Sequence, residues 1–204
     1  MEENDLKEIL EAHALYLGSK GEKGALADFT GMDLSGLDLK GAKLSQALFV
    51  KANLRQTDLS GAELCQANLS QANLTQAKLT SVNMSGALFD GAIVRGTDLR
   101  RANLSYVTAR NSDFSGADLT WAVLNGADLS HGVFKATNGQ KAILNGATLE
   151  ESDFSFSDFT EATLIKANLK GSNLTGVVFQ RADLREANLS FTYTRVDGPK
   201  ITLN

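Results

Sequence analysis

The strongest constraint on the fold of this chain is a repeat of five residues. In residues 67–79, ANLSQANLTQAKL, an Ala and a Leu recur at a fixed step of five. An α-helix returns to the same face about every 3.6 residues and a β-strand about every 2, so neither element can bury this pattern. The repeat therefore indicates a backbone that changes direction every five residues.

The repeat runs through most of the chain without an insertion or deletion. If the large apolar residue of each unit is its centre, the centres extend from Phe29 to Leu189 in 33 units, of which 31 carry Leu, Phe, Met or Val. The residue two before the centre is usually Ala, and the residue directly before it favours Asp or Asn. Two inward residues per unit predict a square coil of four units, which stacks on the next coil at a spacing of about 4.8 Å.

Glycine and aspartate have fixed places in the unit. Of the 18 glycines, 12 follow a centre by two residues, where a type II turn needs a positive φ. Eleven aspartates stand directly before a centre, and we expect them to accept backbone hydrogen bonds at the turns. Two units have small centres, Ala109 and Gly139. A missing large side chain predicts a hole or a deformed corner there, with a bulge at Gly139.

The pattern A(D/N)LXX over residues 25–190 resembles the pentapeptide-repeat proteins. The resemblance implies an all-β fold, a right-handed quadrilateral β-helix. We therefore expect a solenoid of about eight coils with an N-terminal capping α-helix. The expected divisions are a capping helix and lead-in (1–24), the repeat (25–190) and a tail (191–204).

Both ends of a solenoid expose apolar side chains and unpaired backbone, so both need a cover. Residues 5–17 are predicted to form an amphipathic helix, begun by a capping pair of Asp5 and Glu8 and ended at Gly18. His13 is expected to be a packed or partly exposed helix residue rather than a ligand. The tail is too apolar to be free and is expected either to cover the last coil or to pair with a second copy. The resemblance adds that several relatives dimerise through this end, here Phe191, Tyr193, Val196, Ile201 and Leu203.

The sequence offers no sign of catalysis. It contains one cysteine, Cys65, and two histidines, so it can form neither an intrachain disulfide nor a cysteine-based metal site. Phosphate-binding glycine loops and nucleophile motifs are missing. We predict a non-enzyme with no catalytic, cofactor-binding or metal-binding residues. With no apolar stretch long enough to span a membrane and no signal peptide, the expected location is the cytoplasm. The resemblance implies a bacterial protein.

Three functions remain open: a protein-interaction module or scaffold, a DNA-mimicking protein that binds DNA gyrase, and a purely structural protein. The second follows from the resemblance, because a quinolone-resistance subgroup acts in this way. Residues 25–190 contain 17 acidic and 15 basic residues, whereas a DNA mimic needs a dense negative surface. The unbroken repeat also leaves no room for the projecting loop of many gyrase-binding relatives. We therefore expect a protein partner, and we expect neither direct nucleic-acid binding nor membrane contact.

One surface stands out as a candidate partner-binding site. A step of 20 residues, one coil, places Arg101, Trp121 and Lys141 in an outward column. Val123 and Ile143 replace the usual polar residue before a centre and should lie side by side. We name these five residues the tryptophan patch and expect Trp121 to be exposed between two cations. The alternative is that apolar residues occur on this surface through drift of the repeat.

Overall fold

The computed structural model describes residues 3–194. In that part of the chain the only helix is α1, Glu3–Gly18, which is too short and too polar to cross a membrane. The repeat forms single parallel β-bridges, rather than longer strands, at every fifth residue from Asp28↔Leu48 to Asn173↔Tyr193. Every bridge joins residues that are 20 apart. The chain therefore stacks on itself as a β-helix, while its handedness and the count of eight coils stay predictions.

Backbone hydrogen bonds between coils follow one scheme in each unit. The N–H of the centre Phe29 donates to the carbonyl of Leu48 at 2.7 Å, and the Gly31 N–H donates to the carbonyl of Val50 at 2.8 Å. In the opposite direction, the Leu48 N–H donates to the carbonyl of Ala27 at 2.9 Å. Three of the five N–H groups thus join neighbouring coils, which explains why a chain of 204 residues contains one proline.

The residue before the centre satisfies the N–H that follows the centre. The N–H of Thr30, for example, donates to Oδ1 of Asp28 at 2.9 Å. All eleven aspartates at this position accept such a bond, which confirms the prediction that they support turns. They are Asp28, Asp33, Asp38, Asp58, Asp98, Asp113, Asp118, Asp128, Asp153, Asp158 and Asp183.

The corner of each unit, two residues after its centre, has a positive φ. The predicted glycines show it, for example Gly31 at 68°, but so do other residues, such as Gln46 at 66° and Trp121 at 62°. This conformation costs an L-residue about 1–2 kcal/mol, and the corner N–H offsets part of that cost by donating to the next coil. Glycine is therefore favoured at the corners but not required.

The centres form the buried core. Phe114, Phe134 and Phe154 stack as predicted, with ring centroids 5.0 and 4.8 Å apart. Burial declines only at the C-terminal end, where Leu184 and Leu189 are half-buried. Burying one such side chain contributes about 1.5–3 kcal/mol, so the units of Leu184 and Leu189 contribute less to stability than the units before them.

The predicted bulge at Gly139 was wrong. Its N–H donates to the carbonyl of Asp158 at 2.7 Å, in register with every other centre. A Cβ on Gly139 would overlap the ring of Phe159, which packs edge-on against Phe154 with centroids 5.5 Å apart. The phenyl ring of the next coil therefore occupies the space that a large side chain at residue 139 would fill. Ala109 also stays buried and in register, donating to Asp128 at 2.7 Å.

Helix α1 covers the first coil. Leu6, Ile9 and Leu10 pack against the core. The helix ends at Gly18 as predicted, but it begins at Glu3. Asp5 therefore lies inside the first turn, and the predicted capping pair of Asp5 and Glu8 was wrong.

Two contacts attach α1 to the repeat. His13 is buried, and its Nδ1 accepts a hydrogen bond of 3.1 Å from the Ala27 N–H. Gly24, with φ of 77°, lies so close to the helix that a Cβ would overlap the Ala12 carbonyl oxygen. From this position the chain continues to Ala25, whose N–H donates to the same carbonyl at 3.1 Å.

The C-terminal end has no comparable cover among residues 3–194. Phe191 is 81% exposed and Tyr193 53% exposed. The other predicted contact residues of the tail, Val196, Ile201 and Leu203, lie outside the described residues.

Candidate interaction surface

Trp121 occupies a corner of the β-helix. Its φ is 62°, and its N–H donates to the carbonyl of Gln140 at 3.1 Å. The side chain is 53% exposed. Nζ of Lys141, one coil further on, lies 4.8 Å from the ring centroid, a cation–π contact worth about 0.5–1 kcal/mol at an exposed site. The backbone and Lys141 together hold the indole in an exposed position.

Arg101 does not complete the expected sandwich. Among residues 3–194 only Lys141 lies over the indole. Arg101 instead lines an open depression of about 360 Å³ beside Trp121. The other lining residues are Thr80, Ser81, Arg100 and Thr120. The two cations therefore differ: Lys141 supports the ring, and Arg101 faces a space that a partner could enter.

The ion pairs of this region show which of its cations are already engaged by a carboxylate. Nζ of Lys141 lies 3.6 Å from Oε2 of Glu161. Arg100 pairs with Asp98 at 2.6 Å, and its hydrogen bond lowers the pKa of that carboxyl group, against the opposing effect of burial. Arg101 forms no ion pair within the described residues. It is therefore the cation of this surface that remains available.

Val123 and Ile143 meet as predicted, since they form a parallel bridge. Both are half-buried, so they are less accessible than a fully projecting pair. They lie on the same wall as Trp121, between the corner and the next centre. Their apolar surface therefore continues the surface of the indole.

A second change in sequence accompanies these apolar residues. Where Val123 and Ile143 replace Asp or Asn, the N–H after the centre loses its usual acceptor. An Asn of the preceding coil supplies a substitute in the unit of Ile143, where the Asn145 N–H donates to Oδ1 of Asn125 at 3.1 Å. The same device serves the unit of Thr163, where the Ile165 N–H donates to Oδ1 of Asn145 at 3.0 Å. The backbone N–H that loses its acceptor at Ile143 is thus satisfied. The sequence signal for it, Asn one place after successive centres, was missed.

Tyr106 is a further surface residue that the sequence analysis missed. It is 71% exposed at the other corner of the same wall. A Cβ on Gly126 would lie 2.8 Å from its ring, so the ring extends over the glycine of the next coil. We name the outward side chains of residues 101–106, 121–126 and 141–146 the Trp–Tyr wall. Tyr106 followed by Gly 20 residues later is the pattern that could have identified it.

The rest of the described chain offers few sites for chemistry. Residues 3–194 contain no group of three or more His, Cys, Asp or Glu side chains that could hold a metal ion. Cys65 is free and partly exposed. The surface with the most distinctive composition is therefore the Trp–Tyr wall.

Comparison with known proteins places the chain in a family. The family model for pentapeptide repeats matches in overlapping segments that together span residues 26–190, with 8 copies. HetL, a pentapeptide repeat protein involved in heterocyst differentiation regulation from the cyanobacterium Nostoc sp. strain PCC 7120, is 31% identical. The match covers 85% of this chain and 86% of HetL, with a TM-score of 0.46.

More distant structures share the repeat. QnrB1, a plasmid-mediated fluoroquinolone resistance protein, is 20% identical over 83% of this chain and 90% of its own, with a TM-score of 0.45. A pentapeptide repeat protein of the Arabidopsis thaliana thylakoid lumen is 25% identical over 65% and 68%, with a TM-score of 0.27. Comparison with curated sequences gave no significant match. On the match to the family model over residues 26–190, this chain belongs to the pentapeptide-repeat family.

Proposed function

We propose that this protein is a rigid, non-catalytic interaction module or scaffold that binds a protein partner through the tryptophan patch. The proposed framework is a right-handed quadrilateral β-helix of about eight coils. Rigidity favours binding because an ordered surface loses little conformational freedom when a partner docks. A cytoplasmic location stays a prediction from the sequence.

The observation that carries the proposal is the exposed Trp121 beside the bridged pair of Val123 and Ile143. Tryptophan and arginine are enriched among the residues that dominate binding energy, particularly beside apolar neighbours. Asn125 argues against simple drift of the repeat, since it replaces the hydrogen bond that Ile143 removes. A surface of this composition suits a protein partner, because nucleic acid would favour more cations.

The two alternatives have less support. The likeness to QnrB1, at 20% identity, concerns the fold alone. The 17 acidic and 15 basic residues of the repeat do not provide the dense negative surface of a DNA mimic. A purely structural role would leave the patch without a purpose.

A second copy is a further proposed partner. The half-buried Leu184 and Leu189, with the exposed Phe191 and Tyr193, leave an apolar C-terminal end among the described residues. Pairing of two such ends would bury it. This association concerns assembly and is independent of the tryptophan patch.

An affinity pull-down tests the patch. The test variant combines Trp121→Ala with Ile143→Asp, and its matched control combines Phe156→Ala with Ile93→Asp. Phe156 is an exposed corner aromatic with the same φ of 62°, and Ile93 stands before a centre as Ile143 does. Aspartate is the common residue before a centre, so both variants should fold, which thermal melting checks.

We expect the test variant to lose a specific partner that the wild type and the control both retain. Truncation at a binding hot spot typically costs more than about 2 kcal/mol, or roughly thirtyfold in affinity. Equal retention by both variants would refute the role of the patch. Equal loss by both would show binding without a preference for this wall.

A further inference from the structure

We propose that the Trp–Tyr wall binds an acidic segment of a protein partner, with a carboxylate at Arg101 and an adjoining apolar side chain against Trp121. This inference rests on the proposed function and adds the chemistry of the partner. It follows from the charge of the wall, the depression beside Trp121 and the positions of the two aromatic rings.

The first argument is charge. Residues 101–106, 121–126 and 141–146 read RANLSY, WAVLNG and KAILNG and contain no carboxylate. These three units carry Asn, Val and Ile at the position where eleven other units carry aspartate. The nearest acid along the Trp121 column, Glu161, already pairs with Lys141 at 3.6 Å and Arg181 at 3.5 Å. The wall is thus locally positive, although the whole chain carries a formal charge of −4, and it favours an acidic ligand.

The second argument is the depression of about 360 Å³ that Arg101 and Trp121 line. Arg100, also in its lining, is engaged by Asp98 at 2.6 Å. Arg101 is exposed and has no ion pair among residues 3–194. A guanidinium presents a planar set of donors that matches the two oxygens of a carboxylate. An acidic side chain entering the depression would therefore meet Arg101 with the indole beside it.

The third argument is the arrangement of apolar surface. Trp121 and Tyr106 stand on the two corners that limit the wall. Val123 and Ile143 lie between those corners in adjacent coils. A ligand with acidic groups alone would leave this surface uncovered, whereas a segment that mixes acidic and large apolar residues would cover both features. A basic segment would meet Arg101 and Lys141 and be repelled.

Defined peptides test this chemistry. The probe is a fluorescein-labelled peptide that mixes Glu with Leu and Phe, and its counterpart carries Lys at every Glu position. Fluorescence polarisation measures affinity, and Trp121, the single tryptophan, reports contact by a change in its emission. The test variant is Arg101→Glu and the matched control is Arg55→Glu, an exposed arginine on another wall. Both variants change net charge equally.

We expect the acidic peptide to bind and to change the Trp121 emission. Arg101→Glu should weaken binding about tenfold or more, and Arg55→Glu should have little effect. Added salt should weaken the wild-type interaction. Equal binding of the basic peptide, equal effects of the two variants, or binding without a change in Trp121 emission would overturn the inference.

The outcomes are distinguishable from failure of the proposed function. If a partner depends on Trp121 and Ile143 in the pull-down but binds Arg101→Glu normally, only the acidic chemistry is wrong. If the acidic peptide binds at Arg101 while the pull-down shows no dependence on the patch, the wall has the proposed chemistry and the proposed function fails.

Discussion

Within residues 3–194, the two ends of the β-helix differ in how far their inward side chains are covered. At the N-terminal end, α1 lies over the first coil, and the centres Phe29 and Leu34 are as dry as those in the middle. At the C-terminal end, Leu184 and Leu189 occupy equivalent positions but are only half-buried. Among the described residues, the inward side chains are thus fully buried beneath α1 and between coils, and less so at the C-terminal end.

The backbone also differs between the two ends. The Ala27 N–H, whose counterparts in later units donate to the centre three residues earlier, donates instead to Nδ1 of His13. Among residues 3–194, the last bond from a centre to the following coil runs from the Leu174 N–H to the carbonyl of Tyr193 at 2.8 Å. The N-terminal end is therefore joined to α1 by a side-chain bond as well as by apolar packing, and the two ends should respond differently to substitution.

The largest expected effect separates the middle from the C-terminal end. Leu124→Asp places an unpaired carboxylate in a fully packed coil and should prevent folding. Leu189→Asp, at a half-buried centre, should fold with a loss of roughly 1–2 kcal/mol. Urea unfolding followed by circular dichroism measures both, and Ser115→Asp, one place after a centre, is a nearly neutral surface control. Similar stability of the two leucine variants would remove the distinction between middle and end.

Assembly sharpens this comparison. If two copies pair through the C-terminal end, the stability of the wild type rises with protein concentration, because only the folded dimer buries that surface. Leu189→Asp should then abolish the concentration dependence as well as lower the stability. Independence from concentration in the wild type would count against pairing.

A smaller effect concerns the attachment of α1. Gly24→Ala should destabilise the protein by more than about 2 kcal/mol, since the new Cβ would overlap the Ala12 carbonyl and push the helix from the first coil. Gly31→Ala is the matched control, with a similar positive φ and no atom within 4 Å of the new Cβ. Its free energy of unfolding should fall only by the cost of a positive φ for an L-residue, about 1–2 kcal/mol. Thermal midpoints that fall equally would show that the close approach at Gly24 contributes nothing.

The smallest expected effect is a pH dependence confined to the N-terminal end. Burial lowers the pKa of His13 from its ordinary value of 6.5, and the backbone of Ser45 opposes this in part. As pH falls below 6.5, the unfolded chain binds a proton that the folded end rejects. The stability due to neutral His13 is therefore complete above that pH and is lost as pH falls through the lower folded-state pKa.

Hydrogen exchange of α1 between neutral and mildly acidic pH measures this effect. His13→Leu loses the bond from Ala27 and lowers stability at every pH, but it should remove the dependence associated with this ring. His131→Gln, at an exposed histidine that lies 3.4 Å from Glu151, should retain it. An unchanged pH dependence in His13→Leu would contradict the assignment.

The repeat itself was predictable because each of its contacts recurs. Asp113 and Phe114 take their places from a rule repeated along the chain, so the turns and the phenylalanine stack followed from spacing alone. The overlap at Gly24 and the bond of His13 to Ala27 each occur once, between segments with no shared period. Gly139 was misjudged because the space at a small centre depends on how the Phe159 ring of the next coil tilts.

The features of the tryptophan patch were likewise predictable only in part. The column of Arg101, Trp121 and Lys141 and the neighbouring pair of apolar residues follow from the 20-residue step. Which cation covers the indole depends on long, exposed side chains that the step does not determine. Tyr106 was missed because it lies 15 residues before Trp121. It therefore occupies another corner, and a step of 20 residues from Trp121 does not reach it.

The constant span of 20 residues between bridged positions has a consequence for how the chain folds. Every inter-coil contact closes a chain segment of similar size, so the entropy lost in adding a coil is the same near residue 40 as near residue 180. A first pair of coils is then the difficult step, and the remainder can grow on it one coil at a time, in either direction. A longer relative of this β-helix would need more growth steps, but each step would be as fast as here. The average sequence separation of its contacting residues would not increase with its length.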